Sequence, residues 1–412
     1  MRAWIACLIG CAAPAATPAV EAPSPFVDPP AAEAPAVLPP APEPSFTLLA
    51  AGDVIPHQSV QAAAARHAAS WGNDGYDWSF ALLAPVVREA DVAVVNLETP
   101  IAPNHDVAHG SKIFNAQPSL VAALRDAGFD GVSLANNHAW DQGRRGLVET
   151  VGHLESAGVP WVGAGRDCAE AREPWLVTRN GITVGFIGAT RLVNADLNRE
   201  PDEPCVNLIR DERLVIAAAA EARAAGAEAV VLLVHWGQEY ETAPRSWEVT
   251  LAHRMLEGGV DVIAAHHPHV LQTFEAYVTK DGRRTFVAYS LGNLLSGQGL
   301  GYELGGDLEQ GLRRDGGLLR VTFAREAGRV VARDARVEPT FVVKGERLCA
   351  RDPEHTNARV ARLADLIAEA DAAKAAATTN GDGEGAQLAD RCARLYAERQ
   401  RTTRATLGQD AG

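Results

Sequence analysis

The chain has 412 residues, of which 47% are hydrophobic, so it is long enough to bury a substantial core. Its formal net charge of -14 at pH 7 argues against nucleic acid as a main partner, because phosphate binding needs a concentrated basic surface. After the extreme N-terminus no apolar run approaches the roughly twenty residues that a transmembrane helix needs, which excludes a multi-spanning membrane protein.

The first eleven residues, MRAWIACLIGC, resemble a bacterial lipoprotein signal, with one arginine, a short apolar stretch and a cysteine at position 11. We therefore expect Cys11 to be lipidated and the protein to be exported, with the lipid as its only membrane anchor on the periplasmic or cell-surface face. The apolar stretch is at the lower length limit for an export signal, so either the true start codon lies further upstream or the match is accidental.

Residues 12–44 form a predicted linker, because 22 of these 33 residues are Pro or Ala. Such a stretch cannot build a core and favours a semi-extended tether between an anchor and a domain. We assign residues 45–345 to a folded domain and residues 346–412 to a helical C-terminal extension.

From Phe46 onward, β-branched runs alternate with Ala/Leu-rich stretches, which is typical of a layered α/β fold. The predicted strands are 46–50, 92–95, 132–135, 182–187, 230–234, 262–264 and 285–289. The predicted helices are 79–90, 119–127, 144–157, 212–225 and 246–257. Glycines just after four of these helices predict C-terminal caps at Gly128, Gly158, Gly226 and Gly258. Antiparallel strands are expected after Gly317, and helices from His355 onward with an exposed turn at TTNGDGEG.

Four cysteines remain in the predicted folded part: Cys168, Cys205, Cys349 and Cys392. An even number in an exported chain is compatible with two disulfides, and the most local pairing joins Cys168 to Cys205 and Cys349 to Cys392. Four free thiols are the alternative.

Polar, metal-competent side chains recur where the predicted strands end. The segments that carry them supply Asp53, Glu98, Asn136, Asn137, His138, Asp141, His235, Glu239, His266, His267, His269 and Asn293. Because ligands of open α/β sheets bind beyond the carboxyl ends of the strands, we expect these segments to converge on one cleft.

Metal chemistry explains the residue types at these strand ends. Two divalent cations need imidazole and carboxylate ligands, one of which must bridge both ions. An ordinary hydrogen-bonded role is the alternative for any single histidine, and Asn136 and Asn137 could simply cap the next helix. The recurrence of such residues at the same structural position favours a metal site.

Six segments carry a resemblance to a known family. In chain order they are GDVIPH, NLETPI, SLANNHAWDQG, VHWGQEY, AHHPHVLQ and YSLGNLL, and they resemble the ordered motifs of the CapA family. That family is associated with capsule and poly-γ-glutamate synthesis and is similar to the calcineurin-like metallophosphoesterases. The resemblance covers about residues 46–300 and implies an α/β/β/α sandwich of the metallophosphoesterase type, followed here by a helical tail.

The resemblance also implies roles for the matching positions. Asp53 and His269 would bind a first metal, Glu98 would bridge, and the second metal would be bound by Asn137, His235 and His267. His138 would donate a proton to the leaving group. In the superfamily a metal-binding histidine usually stands where this chain has Ile55, so the first metal would need His57, Asn293 or water as a further ligand.

The remaining site candidates follow from the residues near these motifs. Asp141 could orient His138, or serve only as an early helix acid. Candidate substrate contacts are Asn136, His109, Lys112, His266 and Asn293. The alternative for His109 and Lys112 is a solvated connecting loop, and the alternative for His266 is that it only lines the wall.

We therefore expect an exported, lipid-anchored hydrolase with two divalent metals (Mn, Fe or Zn), acting on a phosphoester or a related envelope polymer. One alternative is a non-catalytic capsule-assembly factor that binds poly-γ-glutamate in the same cleft. Another is a metal-dependent enzyme that cleaves or transfers the amide bonds of that polymer.

Overall fold

A computed structural model describes residues 44–299, 302, 306–344 and 358–409. The strands are β1 Ser45–Ile55, β2 Val92–Leu97, β3 Gly131–Ser133, β4 Trp161–Val162, β5 Ala164–Gly165, β6 Trp175–Arg179, β7 Ile182–Thr190, β8 Cys205–Val206, β9 Ala229–His235, β10 Val262–His266, β11 Phe274–Val278, β12 Arg284–Ala288, β13 Asn293–Ser296, β14 Asp315–Glu326, β15 Arg329–Val343 and β16 Arg359–Arg362. The helices are α1 Gln58–His67, α2 Tyr76–Phe80, α3 Ala84–Val87, α4 Pro118–Ala127, α5 Gly143–Ala157, α6 Glu212–Ala224, α7 Ser246–Glu257, α8 Leu308–Leu312, α9 Leu363–Thr379 and α10 Gly383–Thr406.

Two mixed sheets form the centre of the fold. The larger has the order β16-β15-β14-β1-β2-β3-β4, with β13 also pairing to β1, and the smaller has the order β11-β12-β10-β9-β7-β6. Strands β1, β2 and β3 are parallel, as are β7, β9, β10 and β12. Strands β5 and β8 form a separate two-stranded sheet.

Alternating side chains of the central strands build the cores of a four-layer sandwich. In β1, Leu48 and Ala50 pack between the two sheets, whereas Leu49 and Ala51 pack on the opposite face, against the layer that contains α1 and α4. The side chains of strand β9 alternate in the same way, and Leu232 is one of those that face the layer of α6 and α7. The period of two that strands impose therefore produces the expected α/β/β/α order.

The structure confirms the seven predicted strands and four of the five predicted helices. The predicted helix 79–90 is instead two short helices, α2 and α3, separated by a turn. Pro85 lies in the first turn of α3, where its missing amide hydrogen costs no helical hydrogen bond. Three predicted capping glycines have positive φ, but after α7 the left-handed residue is Gly259, not Gly258.

The C-terminal part contains more than helices. Strand β16 pairs with β15, so that residues 359–362 extend the larger sheet before α9 begins. Helices α9 and α10 are joined at Asn380–Asp382, within the predicted turn, and form a core of their own with residues of β15 and β16. Strands β14 and β15 form the antiparallel pair expected after Gly317.

One predicted disulfide is formed in the described residues. Cys168 and Cys205 are bonded, with their Cα atoms 4.9 Å apart. The second predicted pair includes Cys349, which lies outside the described residues. The same holds for Cys11 and for residues 12–43 of the predicted linker. Among the residues that the structure describes, no helix combines the length and apolarity needed to cross a membrane.

Candidate metal centre

The carboxyl ends of strands from both sheets meet at the candidate site. Asp53 lies near the end of β1, and Glu98 directly follows β2. In the other sheet, His235 is the last residue of β9, and His267 and His269 follow β10. No more than 5% of the surface of any of these five residues is exposed. The fold thus brings together residues as far apart in sequence as Asp53 and His269.

These five residues form two groups that share Glu98. The first group is Asp53, Glu98 and His269, and the second is Glu98, His235 and His267. Within each group, one potential ligand atom from every residue lies within 4.8 Å of the others. Carboxylate oxygens combined with imidazole nitrogens suit Mn, Fe and Zn. Each group therefore has the donor chemistry that a divalent cation requires.

Two buried ligand atoms of these five residues have no hydrogen-bond partner in the described part of the chain. They are Glu98 Oε1 and His267 Nδ1. Leaving a buried polar atom unpaired costs about 1–3 kcal/mol, so both atoms need an explanation. Glu98 Oε1 lies 3.6 Å from His235 Nε2 and 3.9 Å from His269 Nε2, and it forms a hydrogen bond with neither. A bound cation would satisfy these atoms, so the residues fit a metal.

Hydrogen bonds hold the Asp53 carboxylate in position. His269 Nδ1 lies 3.1 Å from one carboxylate oxygen of Asp53, and Asn96 Nδ2 donates to the other at 2.8 Å. The Asp53 amide donates to the carbonyl of Gly292 at 2.9 Å. Asn96 also lies 3.4 Å from Glu98 Oε2, and it was not predicted as a site residue. Its position two residues before Glu98 was the available signal, because residues two apart in an extended chain share one face.

The backbone around the two histidines after β10 is strained. His267 has φ of 99° and His269 has φ of 58°, both in a region that residues with a Cβ atom rarely adopt. Strain of this kind costs about 1–3 kcal/mol per residue and clusters at functional sites. The strained turn at Pro268 therefore places one imidazole in each of the two groups that share Glu98.

The pKa values of the two carboxyl groups of the site are shifted in opposite directions. Burial, together with the neighbouring charges of Asp53 and Glu239, raises the pKa of Glu98 well above its usual range. Burial would also raise the pKa of Asp53, but the hydrogen bond from His269 and the nearby imidazoles outweigh it and lower that pKa. Without a cation, Glu98 is thus the carboxyl of the two that keeps its proton to the higher pH.

The imidazoles of the second group are held neutral. Burial, followed by the neighbouring imidazoles, lowers the pKa of His235 well below its usual range. Burial likewise lowers the pKa of His267 to about 4. A metal ligand must be deprotonated, and these two histidines already are at neutral pH.

The Asn137-His138 pair lies beside the second group. Asn137 Oδ1 is 2.9 Å from His235 Nε2, which places an amide oxygen next to a candidate ligand. His138 Nδ1 is 2.8 Å from Asp141 Oδ2, and Asp141 Oδ2 also accepts the amide of Phe114 at 2.7 Å. The Phe114 ring packs edge-on against His138 with 4.6 Å between the ring centroids. These contacts fix the imidazole and leave its Nε2 for another partner.

A cavity of about 660 Å³ opens onto these residues. Candidate site residues in its wall are Asn137, His138, Asp141, His269 and Lys112. Further wall residues that were not predicted as substrate contacts include His57, Phe114, Asn194, Glu239, Tyr240 and Gln298. Lys112 therefore lies where a substrate contact was expected. His109 does not: its side chain is 73% exposed, lies 3.7 Å from Asp106 and is absent from the cavity wall.

Three other predicted substrate contacts are buried outside the cavity wall. Asn136 donates to the carbonyl of Leu97 and accepts the amide of His138. His266 Nε2 is bonded to the carbonyl of Ala51, between the two sheets. Asn293 donates to the carbonyl of His269. These hydrogen bonds hold the segments of the site together, although one polar atom of the three side chains, Asn293 Oδ1, has no partner among the described residues.

Ile55 has an apolar side chain at the position where a further ligand of the first metal would be expected. Ile55 is buried and lines the cavity, and it offers no ligand to the first group. His57 belongs to neither group, and its Nδ1 lies 3.1 Å from the amide nitrogen of Gly297 and 3.0 Å from the carbonyl oxygen of Ile55. Asn293 Oδ1 is buried without a hydrogen-bond partner among the described residues, so its oxygen is chemically available.

Fold and site together define a layered α/β protein with two candidate metal-binding groups that share one carboxylate, set below a cavity with a His-Asp pair in its wall. Residues 47–298 match the sequence model of the family described as "Bacterial capsule synthesis protein PGA_cap". This chain belongs to that family.

Named relatives agree with this assignment. The capsule biosynthesis protein CapA of Bacillus anthracis is 29% identical over 260 residues, which cover 62% of this chain and 60% of that protein. The PGA biosynthesis protein CapA of Bacillus subtilis (strain 168) is 32% identical over 228 residues, covering 55% and 58%. The chain therefore spans about three-fifths of the length of these relatives.

Solved structures give weaker similarities. The calcineurin-like phosphoesterase YfkN from Bacillus subtilis aligns with a TM-score of 0.41 and 14% identity, over 72% of this chain and 91% of that chain. The sulfate thiohydrolase SoxB of Thermus thermophilus aligns with a TM-score of 0.38 and 18% identity, over 73% of this chain and 57% of that chain.

Proposed function

We propose that this protein is a metal-dependent hydrolase that acts on a phosphoester or a related polymer of the cell envelope. The observation that carries the proposal is the shared carboxylate of Glu98, buried between two imidazole-containing groups, next to the His138-Asp141 pair in the cavity wall. Asp53 and His269 would hold one divalent cation and His235 and His267 another, with Glu98 common to both and Asn137 beside the second.

Bound divalent cations would supply an activated water and neutralise charge that develops on the substrate. The chain's own residues have three tasks. Lys112 lies in the cavity wall, where it can attract an anionic substrate. His138 holds a proton for the leaving oxygen, and Asp141 fixes the ring through Nδ1. The deep burial of the metal groups excludes bulk water from the reacting atoms.

We also propose that the protein is exported and acts at the cell envelope, anchored through lipidated Cys11. The Cys168–Cys205 disulfide supports export, because such bonds persist in oxidising compartments. The names of the Bacillus relatives refer to capsule and PGA biosynthesis, which supports an envelope polymer as the substrate or product.

A non-catalytic role in polymer assembly is the second candidate, and Ile55 favours it. With Ile55 in the wall, the His, Asp and Glu ligands of the first group among the described residues are three, Asp53, Glu98 and His269. Weak occupancy of that group would leave a cavity that binds an anionic polymer without cleaving it.

Cleavage of the amide bonds of the polymer is a third candidate activity. It would use the same metal groups, since an activated water attacks carbonyl carbon as well as phosphorus.

The test uses the purified full chain. Metal content is measured, and hydrolysis of an aryl phosphodiester, an aryl phosphomonoester and poly-γ-glutamate is assayed in the wild type, His138→Ala and His235→Ala. We expect metal-dependent turnover of one substrate, which His138→Ala removes without loss of metal. Metal binding without turnover of any substrate would favour the assembly role.

Export is tested in a separate experiment. If a lipid on Cys11 anchors the protein, Cys11→Ala should release it from membranes.

A further inference from the structure

The loop between β7 and β8 carries a side chain that contacts two site residues at once. Asn194 lies in the cavity wall. Its side-chain oxygen accepts Asn137 Nδ2 at 3.2 Å. Its own Nδ2 lies 3.3 Å from His138 Nδ1, whose proton is directed to Asp141, so this second contact is not a hydrogen bond. Its backbone amide donates to the carbonyl of Asn137 at 3.0 Å. Neither the family motifs in the sequence nor the metal groups include Asn194.

The hydrogen bond to the Asn194 oxygen bears on which way the Asn137 amide faces. An asparagine amide presents an oxygen on one side and an NH₂ group on the other, and only the oxygen can bind a cation. Because Asn137 Nδ2 is held by the oxygen of Asn194, Asn137 Oδ1 points to His235 Nε2, 2.9 Å away. A flipped amide would aim two N–H donors at the second metal group. We propose that Asn194 is a positioning residue that keeps the oxygen of Asn137 turned to that group.

The loop that carries Asn194 is anchored independently of the site. Its C-terminal end is held by the Cys168–Cys205 disulfide, and the amide of Cys168 donates to the carbonyl of Pro201 at 2.9 Å. Arg144, in the first turn of α5, donates to the carbonyl of Leu197 at 3.0 Å and pairs with Glu203 at 2.8 Å. The position of Asn194 is therefore set by covalent and ionic contacts outside the cavity. Reduction of the disulfide should loosen it.

This inference rests on the proposed function only in that the second group binds a cation, so Mn²⁺ binding to the full chain is the readout. Residues that orient metal ligands from outside typically change metal affinity by about 10–100-fold when they are removed. We expect Asn194→Ala to weaken the second of two Mn²⁺ sites by about tenfold or more and to leave the first unchanged. Asn194→Asp keeps the acceptor oxygen and should keep both sites.

Matched variants separate this role from general damage. Glu200→Gln changes an exposed residue of the same loop and should bind Mn²⁺ like the wild type. The double variant Cys168→Ser/Cys205→Ser should show a weaker second site, in the same direction as Asn194→Ala. Asn194 is exposed, so its replacement should leave the thermal unfolding midpoint nearly unchanged.

Two results would overturn the inference. One is a second Mn²⁺ site in Asn194→Ala with wild-type affinity, and the other is equal weakening by Asn194→Ala and Asn194→Asp. If the wild type binds no Mn²⁺, the proposed function fails, and side-chain amide NMR of the metal-free protein decides the orientation. The Asn137 NH₂ signals must then shift in Asn194→Ala but hardly in Glu200→Gln, and unchanged signals overturn the inference.

Discussion

His138 and Asp141 are joined by a 2.8 Å contact between Nδ1 and Oδ2, with both side chains more than 90% buried. The carboxylate accepts from Nδ1, so Nε2 is the ring nitrogen that must carry the proton given to a leaving group. Two neighbouring contacts hold the pair: the Phe114 amide donates to Asp141, and the Phe114 ring packs on His138. The spacing of three residues within the turn before α5 thus produces an oriented imidazole beside a candidate metal site.

Removal of this imidazole should affect turnover more than metal binding. We expect His138→Ala to lower kcat by about 10²–10⁴-fold, the usual contribution of a general acid. Asp141→Asn should lower kcat less and leave KM nearly unchanged, because the ring remains but loses its orientation. Steady-state kinetics on the best substrate, with metal content measured in parallel, checks both. Wild-type kcat in His138→Ala would exclude the imidazole as the proton donor.

Metal binding should release a proton from Glu98. Burial and neighbouring carboxylates raise the pKa of Glu98 well above its usual range, so the metal-free protein holds a proton there that the unfolded chain lacks. Without metal, stability should therefore fall as pH rises through that raised pKa, and Mn²⁺ affinity should rise over the same range.

Calorimetry in buffers of different ionisation enthalpy measures this proton release directly. Glu98→Gln should bind Mn²⁺ weakly and release no proton. Asp53→Asn should also bind weakly but still release one, because the lowered pKa of Asp53 leaves that carboxylate ionised in the wild type. Affinity that is independent of pH in the wild type would contradict this account of Glu98.

Gly52 controls the approach of β1 to the turn that precedes β13. A Cβ atom at Gly52 would lie 2.1 Å from the carbonyl oxygen of Gly292, to which Asp53 donates. Gly52→Ala should therefore displace Asp53, weaken Mn²⁺ binding and destabilise the fold by about 1–3 kcal/mol. Gly152 in α5 is the matched control, because a Cβ atom there meets nothing within 4 Å.

For Gly152→Ala we expect unchanged Mn²⁺ binding and a gain of about 0.5–1 kcal/mol in stability. Urea unfolding of the metal-free proteins, combined with Mn²⁺ titration, distinguishes the two alanine variants. Equal stability and equal Mn²⁺ affinity in both would show that the close approach at Gly52 is unimportant.

The C-terminal helix α10 should be essential for stability through one buried ion pair. Arg399 Nε lies 3.2 Å from Asp315 Oδ1, the second amino group of the guanidinium pairs with the other carboxylate oxygen, and both side chains are at most 1% exposed. Arg399→Met leaves the Asp315 carboxylate buried without its partner, which should cost about 3–5 kcal/mol.

The exposed pair of Arg394 with Asp390, also on α10, is the control for that substitution. Arg394 is 68% exposed and lies 3.1 Å from Asp390. Arg394→Met should change stability by less than about 1 kcal/mol, as exposed ion pairs usually do. Denaturant unfolding of both variants measures the difference, and similar losses in the two would refute a special role for the buried pair.

Sequence patterns predicted the architecture and the clustering of the candidate metal ligands, because both depend on short segments. Buried parallel strands are continuous apolar runs, and the polar residues that follow them stand out, as at Glu98 and His235. The shared-ligand arrangement of Asp53, Glu98 and the histidines follows the resemblance residue by residue, and the structure brings these side chains together.

Long-range relationships were harder to predict. Asn96 looked like one polar residue within a strand, although its partner Asp53 lies 43 positions away. Asn194 belongs to a polar loop with no motif, and the disulfide and Arg144 contacts that position that loop come from distant segments. His266 and His267 are adjacent in sequence, but only the strained backbone of His267 turns its side chain to the metal group.

The most direct test of the account is the number of Mn²⁺ ions bound per full-length chain in the wild type and in Glu98→Gln, with hydrolysis followed in the same samples. The account requires two ions in the wild type, loss of tight binding at both groups in Glu98→Gln, and turnover only when both ions are present. Wild-type stoichiometry and turnover in Glu98→Gln would contradict the central claim that this carboxylate joins two metal groups into one active site.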